Sequence, residues 1–175
     1  MQLQAWLFAS RPKTLTAAVV PILVGSTLAY AIRGETRLDL SALALFCSLL
    51  IQVGTNLVND AMDFKKGADT EERIGPKRVT QSGLFSSRTV LMAAGLCFVL
   101  SACLALPLVW AGGVPILIIG LLSILAGYCY TGGPFPLAYR GLGDVFVLLF
   151  FCGVPVGGVY FINTGRWDWP AGLAG

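Results

Sequence analysis

The sequence predicts an all-α polytopic membrane protein, a single domain over residues 1–175 with about five transmembrane helices. Three observations carry that expectation. Hydrophobic residues make up 56% of the chain and charged residues 12%, with a mean hydropathy of +0.77, well outside the range of water-soluble domains. Five apolar runs, 15–32, 40–58, 90–109, 114–130 and 145–162, are long enough or nearly so to cross a hydrocarbon core, and none carries Lys, Arg, Asp or Glu. The bases are also unevenly placed between these runs. Arg11, Lys13, Lys65, Lys66, Arg73, Lys77, Arg78, Arg88 and Arg140 fall on one side, against only Arg33, Arg37 and Arg166 on the other. The positive-inside rule puts the nine-base side, and with it the N-terminus, in the cytoplasm; a multi-pass protein of the cell inner membrane is the expectation.

Taken in order, the chain opens on Trp6-Leu7-Phe8, which reads as an interfacial segment with Arg11 and Lys13 at the membrane face. It is not patterned as a signal peptide, because its bases follow the apolar residues instead of preceding an apolar run. Pro12 breaks the chain before the first span, and Pro21 and Gly25 inside that span are tolerated in membrane helices and mark close packing. Residues 33–39 form a short external turn. The runs 90–109 and 114–130 are separated by Trp110-Ala111-Gly112-Gly113, a connection so short that the two helices should pair antiparallel. No internal repeat or low-complexity tract is visible.

The most informative stretch lies between the second and third runs. Residues 56–81 hold five of the nine acids (Asp60, Asp63, Asp69, Glu71, Glu72) and five of the twelve bases (Lys65, Lys66, Arg73, Lys77, Arg78). Charge concentrated between apolar spans is costly and points to a site. Gln52, Asn56, Asn59, Asp60 and Asp63 follow the i, i+4, i+7 spacing that lines one helix face. An apolar helix therefore leaves the membrane carrying amides and then carboxylates down one side. Hard oxygens one turn apart suit a divalent ion such as Mg²⁺, which retains waters and shares its shell with substrate phosphates. The neighbouring bases can meet phosphate oxygens. A solvated loop that merely sets topology would leave the polar stripe inside the helix unexplained.

The second informative stretch, residues 130–144, combines six glycines and prolines with Tyr130, Phe135 and Tyr139, and Tyr128 just precedes it. Its aromatics can offer π faces to a cation, or form an interfacial aromatic belt. Cys47, Cys97, Cys103, Cys129 and Cys152 all lie in or beside apolar runs, no CxxC pair occurs, and histidine is absent. Zinc sites, disulfide frameworks and Ser/His or Cys/His nucleophiles are therefore not expected. Nor is nucleic acid, since the bases are accounted for by topology.

Four stretches together resemble the UbiA-type intramembrane prenyltransferases: RPKTLTAAVVPILVG (residues 11–25), NLVNDAMDFKKGADTEERIGPKRVTQSG (56–83), YTGGPFPLAYRGLGD (130–144) and VPVGGVYFINTG (154–165). The likeness is to the branch that prenylates 1,4-dihydroxy-2-naphthoate in menaquinone biosynthesis. It implies that Asn56, Asp60, Asp63 and Asp69 hold Mg²⁺ against an allylic polyprenyl diphosphate, with Gly67 standing where some family members carry the last aspartate. It implies substrate-binding roles for Asn59, Arg73, Lys77, Arg78 and Arg140, and catalytic roles for Asp60, Asp63, Tyr130 and Tyr139. It also implies a bundle of about nine helices with a second aspartate-rich motif in its later half. These 175 residues contain no such motif, so the expectation is a fragment of a longer protein, or a half that works with another half or as a homo-oligomer.

The chemistry implied is electrophilic transfer of the prenyl group inside an apolar bundle bounded by membrane lipid. A non-catalytic polyprenyl-diphosphate-binding subunit and a prenyltransferase for a different aromatic acceptor are the alternatives. A transporter half fits less well, because its site would lie near the midplane, whereas the charge here sits at the cytoplasmic rim. A membrane phosphotransferase would need a tighter Asp-Gly and Ala-Arg spacing than this chain has.

Overall fold

A computed structural model of the chain describes residues 2–34, 36–67, 78–134, 136–141 and 143–167. These residues form α1 (Gln2–Ser10), α2 (Thr16–Arg33), α3 (Leu38–Lys65), α4 (Ser87–Leu104), α5 (Leu106–Cys129), α6 (Gly143–Leu148) and α7 (Val154–Thr164). Short 3-10 turns at Pro12–Thr14 and Leu137–Arg140 and a π turn at Leu149–Gly153 complete the fold. No strand occurs among the described residues. The all-α polytopic class is as the composition implies.

α3 is the axis. Its 28 residues rise about 42 Å at 1.5 Å each, more than the ~30 Å of a hydrocarbon core. The helix does not stop near Val58 but runs through both aspartates to Lys65. The amphipathic spacing therefore continues past the apolar stretch that marks the span. α4 lies along α3, and α1, α2, α5 and α7 also pack on it. Contact is close where side chains are absent. A Cβ on Gly54 would stand 2.6 Å from the Phe98 ring of α4, and one on Gly25 of α2 would stand 2.6 Å from the Val156 carbonyl of α7. Small residues permit this approach between membrane helices, where burial from water supplies no drive.

Two larger apolar clusters and a small one of Ala29 and Tyr160 result among the described residues. One gathers Ala5, Ala9, Leu57, Val58, Val79 and Val90 beneath α1, where Trp6 stacks on Phe85 at 4.4 Å. The other joins Ile22, Ala44, Cys47, Leu108, Ile116 and Val159. A buried amide ties the far ends of α2, α3 and α7 together. Asn163 accepts from the Arg37 backbone at 2.5 Å and donates to Ser41 Oγ at 3.1 Å, while Ser26 Oγ donates to Ser41 Oγ at 3.0 Å.

Helices α2, α3, α4 and α5 are each long and apolar enough to cross a membrane. α5 exposes Val114, Leu117, Ile118, Leu121, Leu122 and Leu125, an apolar surface suited to lipid or to further helices. The turn expected at 110–113 is sharper than anticipated. Leu106–Gly112 is helical, and the reversal rests on Gly113 (φ 65°, ψ −153°), two residues before Pro115. Glycine reaches that conformation freely, and Pro115 brings no N–H to continue the ladder.

The fifth run, 145–162, is helical but not one regular α-helix. The π turn at Leu149–Gly153 interrupts it just before Pro155. A proline at that point removes one helical donor and crowds the carbonyl four residues back, and a wider turn absorbs the conflict.

Candidate functional site

The polar stripe of α3 is buried. Gln52, Asn56, Asn59, Asp60 and Asp63 each keep less than a tenth of their surface exposed. At 3.6 residues per turn, Gln52, Asn56, Asn59 and Asp63 fall within about 60° of arc, with Asp60 at the margin. That offset divides the work of the two aspartates.

Asp60 faces the turn that precedes α4. Its carboxylate accepts from the Val79 N–H at 3.2 Å and the Thr80 N–H at 3.1 Å, and the Thr80 hydroxyl also donates to it. Two buried backbone donors thus end on one charge, so Asp60 pins the Arg78–Gly83 segment against α3. An ionised carboxylate has about four acceptor positions, so coordination by Asp60 remains chemically open.

Asp63 faces the 130–141 segment. Tyr139 donates its hydroxyl to Asp63 Oδ1, and Arg78 Nη1 stands 2.5 Å from Asp63 Oδ2. The same Arg78 nitrogen donates to the Asn59 carbonyl at 2.6 Å. Lys66 Nζ lies 4.9 Å from the centroid of the Tyr139 ring and donates to the Thr131 carbonyl at 2.7 Å. The π face that the Tyr-rich loop offered has therefore met a cation. Thr131 Oγ1 donates to Asn59 Oδ1 at 2.6 Å, closing a network between α3 and the loop after α5.

Asn56 and Asn59 open on a cavity of about 430 Å³. Arg11, Thr14, Gln52 and Tyr130 share its polar end, and Ile22, Ile116, Ile119 and Val159 are among the apolar residues that line the rest. The cavity has the mostly apolar wall with a few convergent polar groups that ligand sites show.

Of the residues the sequence singled out, the structure brings together Asn56, Asn59, Asp60, Asp63, Arg78, Tyr130 and Tyr139. Arg140 sits exposed at the end of its 3-10 turn. Asp69, Arg73 and Lys77 lie outside the described residues. Sequence reasoning missed Thr14, Thr80 and Thr131, which hold Asn56, Asp60 and Asn59. Isolated threonines carry no spacing signal, and only the network identifies them. Arg11, expected at the membrane face, also lines the cavity.

The donor set fits a hard divalent ion in kind. It offers two carboxylates and two amide oxygens within three turns of one helix, and Asn56 Oδ1 accepts no hydrogen bond from any described residue. Among the described residues, no group of three or more His, Cys, Asp or Glu side chains gathers to hold a metal without help. Substrate oxygens or water would have to complete the shell.

Apolar helices crossing a membrane around a buried carboxylate-and-amide face define an intramembrane protein with a candidate site for a cation and an anionic ligand. The chain belongs to the UbiA prenyltransferase family, whose pattern matches residues 18–175. It is 40% identical over 171 residues to the 1,4-dihydroxy-2-naphthoate octaprenyltransferase of Escherichia coli K12, a match covering 92% of this chain and 54% of that protein. Proteins of the same description from Haemophilus influenzae and Bacillus subtilis are 36% and 34% identical, covering 95% and 90% of this chain and 56% and 50% of their own lengths. The chain thus spans about half the length of these curated relatives.

Proposed function

We propose that the chain forms the diphosphate-binding part of a Mg²⁺-dependent prenyltransferase of menaquinone biosynthesis. The enzyme would move a polyprenyl group from its allylic diphosphate onto 1,4-dihydroxy-2-naphthoate, the acceptor named in its bacterial relatives' descriptions. The observation that carries this reading is the buried α3 face, whose amides line the polar end of a largely apolar cavity while its carboxylates sit beside Arg78 and Tyr139.

Asn56, Asp60 and Asp63 would hold the metal, with Asp69 contributing from outside the described residues. When bound, Mg²⁺ supplies Lewis-acid neutralisation of the leaving diphosphate. Arg78, with Arg73 and Lys77, would meet the diphosphate oxygens, and Arg140 would add a further base to them. For Arg78 this means yielding its pairing with Asp63 to the ligand. The cavity wall holds the prenyl chain and excludes water from the allylic carbon. The ring carbon of the acceptor forms a bond to C1 of the prenyl group as the C1–O bond to diphosphate breaks, and the ring's carboxylate departs as CO₂. Tyr130, which lines the cavity, and Tyr139, which bonds Asp63, would orient or stabilise the reacting partners.

Arg78→Ala tests the anion-binding role. It should weaken Mg²⁺-dependent binding of geranylgeranyl diphosphate by about tenfold or more and leave geranylgeraniol nearly unchanged, because only the diphosphate presents charge to the guanidinium. Calorimetry in detergent that finds equal losses for both ligands contradicts the assignment.

The same reading expects the protein in the cell inner membrane, with the connections between α3 and α4 and between α5 and α6 cytoplasmic. In a background lacking the five native cysteines, Ser82→Cys should be shielded from an impermeant thiol reagent in intact cells and labelled once they are opened. Labelling from outside would reverse the orientation.

A further inference from the structure

Among the described residues, Arg11 is the only one other than glycine with a left-handed backbone (φ 51°, ψ 69°). That conformation is unfavourable for an arginine and persists only where its surroundings hold it, as functional sites often do. What holds it here is the stripe of α3. Asn56 Nδ2 donates to the Ser10 carbonyl at 2.8 Å and to Thr14 Oγ1 at 2.9 Å, and Gln52 Nε2 approaches Thr14 Oγ1 at 3.4 Å. The Thr14 hydroxyl spends its own hydrogen on the Arg11 carbonyl at 2.9 Å.

This arrangement admits one orientation of the Asn56 amide. A carbonyl can only accept, and a hydroxyl whose hydrogen is already committed can only accept. Both partners therefore demand the NH₂ end of Asn56, and the amide cannot be turned over without losing two hydrogen bonds. Its oxygen is left facing away from the Ser10–Thr14 turn. That oxygen accepts nothing from any described residue, although Asn56 is only 3% exposed and lines the cavity. An amide oxygen that meets the cavity with no protein donor keeps its lone pairs for water or for a ligand there.

We propose that Thr14 is a positioning residue of the cation-diphosphate site: its hydroxyl fixes the Asn56 amide so that Oδ1 is presented to the metal. The inference rests on the proposed function. Partners that orient a metal's own ligands commonly govern its affinity by 10–100-fold. Thr14→Val keeps the shape but removes the acceptor, so Asn56 loses one of its two anchors and its oxygen is no longer held in place. Thr14→Ser retains the hydroxyl and is the rescuing variant.

The experiment titrates Mn²⁺, as a paramagnetic stand-in for Mg²⁺, into the 175-residue chain in detergent with saturating geranylgeranyl diphosphate. Bound metal is read by electron paramagnetic resonance. Thr14→Val should weaken Mn²⁺ binding by about tenfold or more, Thr14→Ser should stay close to the wild type, and geranylgeraniol binding should be the same in all three. Unchanged Mn²⁺ affinity in Thr14→Val overturns the inference, as does a serine variant as weak as the valine one. A parallel loss of geranylgeraniol binding also overturns it, by assigning the hydroxyl to folding of the turn. Wild-type protein that binds no Mn²⁺ even with diphosphate contradicts the proposed function itself, which separates the two failures.

Discussion

Asp63→Ala should weaken Mg²⁺-dependent binding of a polyprenyl diphosphate by about 100-fold or more, because on the proposed reading a metal ligand would be removed and not merely reoriented. The same change leaves the buried Arg78 guanidinium without its carboxylate, although its bond to the Asn59 carbonyl stays, and breaking a buried ion pair commonly costs about 3–5 kcal/mol. Asp60→Ala should lose the same binding. Its carboxylate takes the Val79 and Thr80 N–H groups, and leaving a buried donor unsatisfied costs roughly 1–3 kcal/mol apiece. Both variants should therefore melt clearly below the wild type, as thermal unfolding would read. A wild-type melting temperature in Asp60→Ala would show that the 78–83 turn does not depend on Asp60, and full diphosphate binding by either variant in calorimetry would remove that aspartate from the site.

The second large effect concerns turnover. The resemblance implies a second aspartate-rich motif, the matched relatives are about twice the length of this chain, and no such motif occurs in its 175 residues. With one carboxylate cluster, the leaving diphosphate keeps more of its charge in the transition state. Loss of a single preorganised electrostatic element commonly costs about 10²–10³ in rate, and loss of a whole cluster should cost more. Residues 1–175 reconstituted with Mg²⁺, geranylgeranyl diphosphate and 1,4-dihydroxy-2-naphthoate are thus expected to give no prenylated product above background. The same residues joined to the remaining part of the Escherichia coli relative should turn over. Equal rates for the two proteins would show that one cluster suffices. A chimaera that binds diphosphate yet never reacts would favour a non-catalytic binding role.

Much of this was legible in the residues. The stripe on α3 follows from spacing, because residues 52, 56, 59 and 63 can share a helix face whatever the tertiary fold. The burial of that face follows from the apolar runs that flank it. That the helix carries on past the apolar run to the aspartates is contained in the same spacing, whereas its end at Lys65 was not legible, because no glycine or proline marks it before Gly67. The interruption of the last run was hidden because hydropathy cannot distinguish an α turn from a π turn, although Pro155 stands beside it.

The division between Asp60 and Asp63 was also hidden. Asp60 is held by the backbone N–H groups of Val79 and Thr80, and every residue except proline carries such a donor, so nothing in their identity announces the contact. The same holds for the Ser10 carbonyl that anchors Asn56.

Binding of a diphosphate to the buried face of α3 through a divalent cation, as proposed, is tested by titrating geranylgeranyl diphosphate into the wild-type chain in detergent, with Mg²⁺ and again with a chelator. Geranylgeraniol serves as the uncharged control. Diphosphate binding should be saturable and weaken at least about tenfold without Mg²⁺, while the alcohol binds alike in both conditions. Diphosphate binding of equal strength with and without the metal would contradict it.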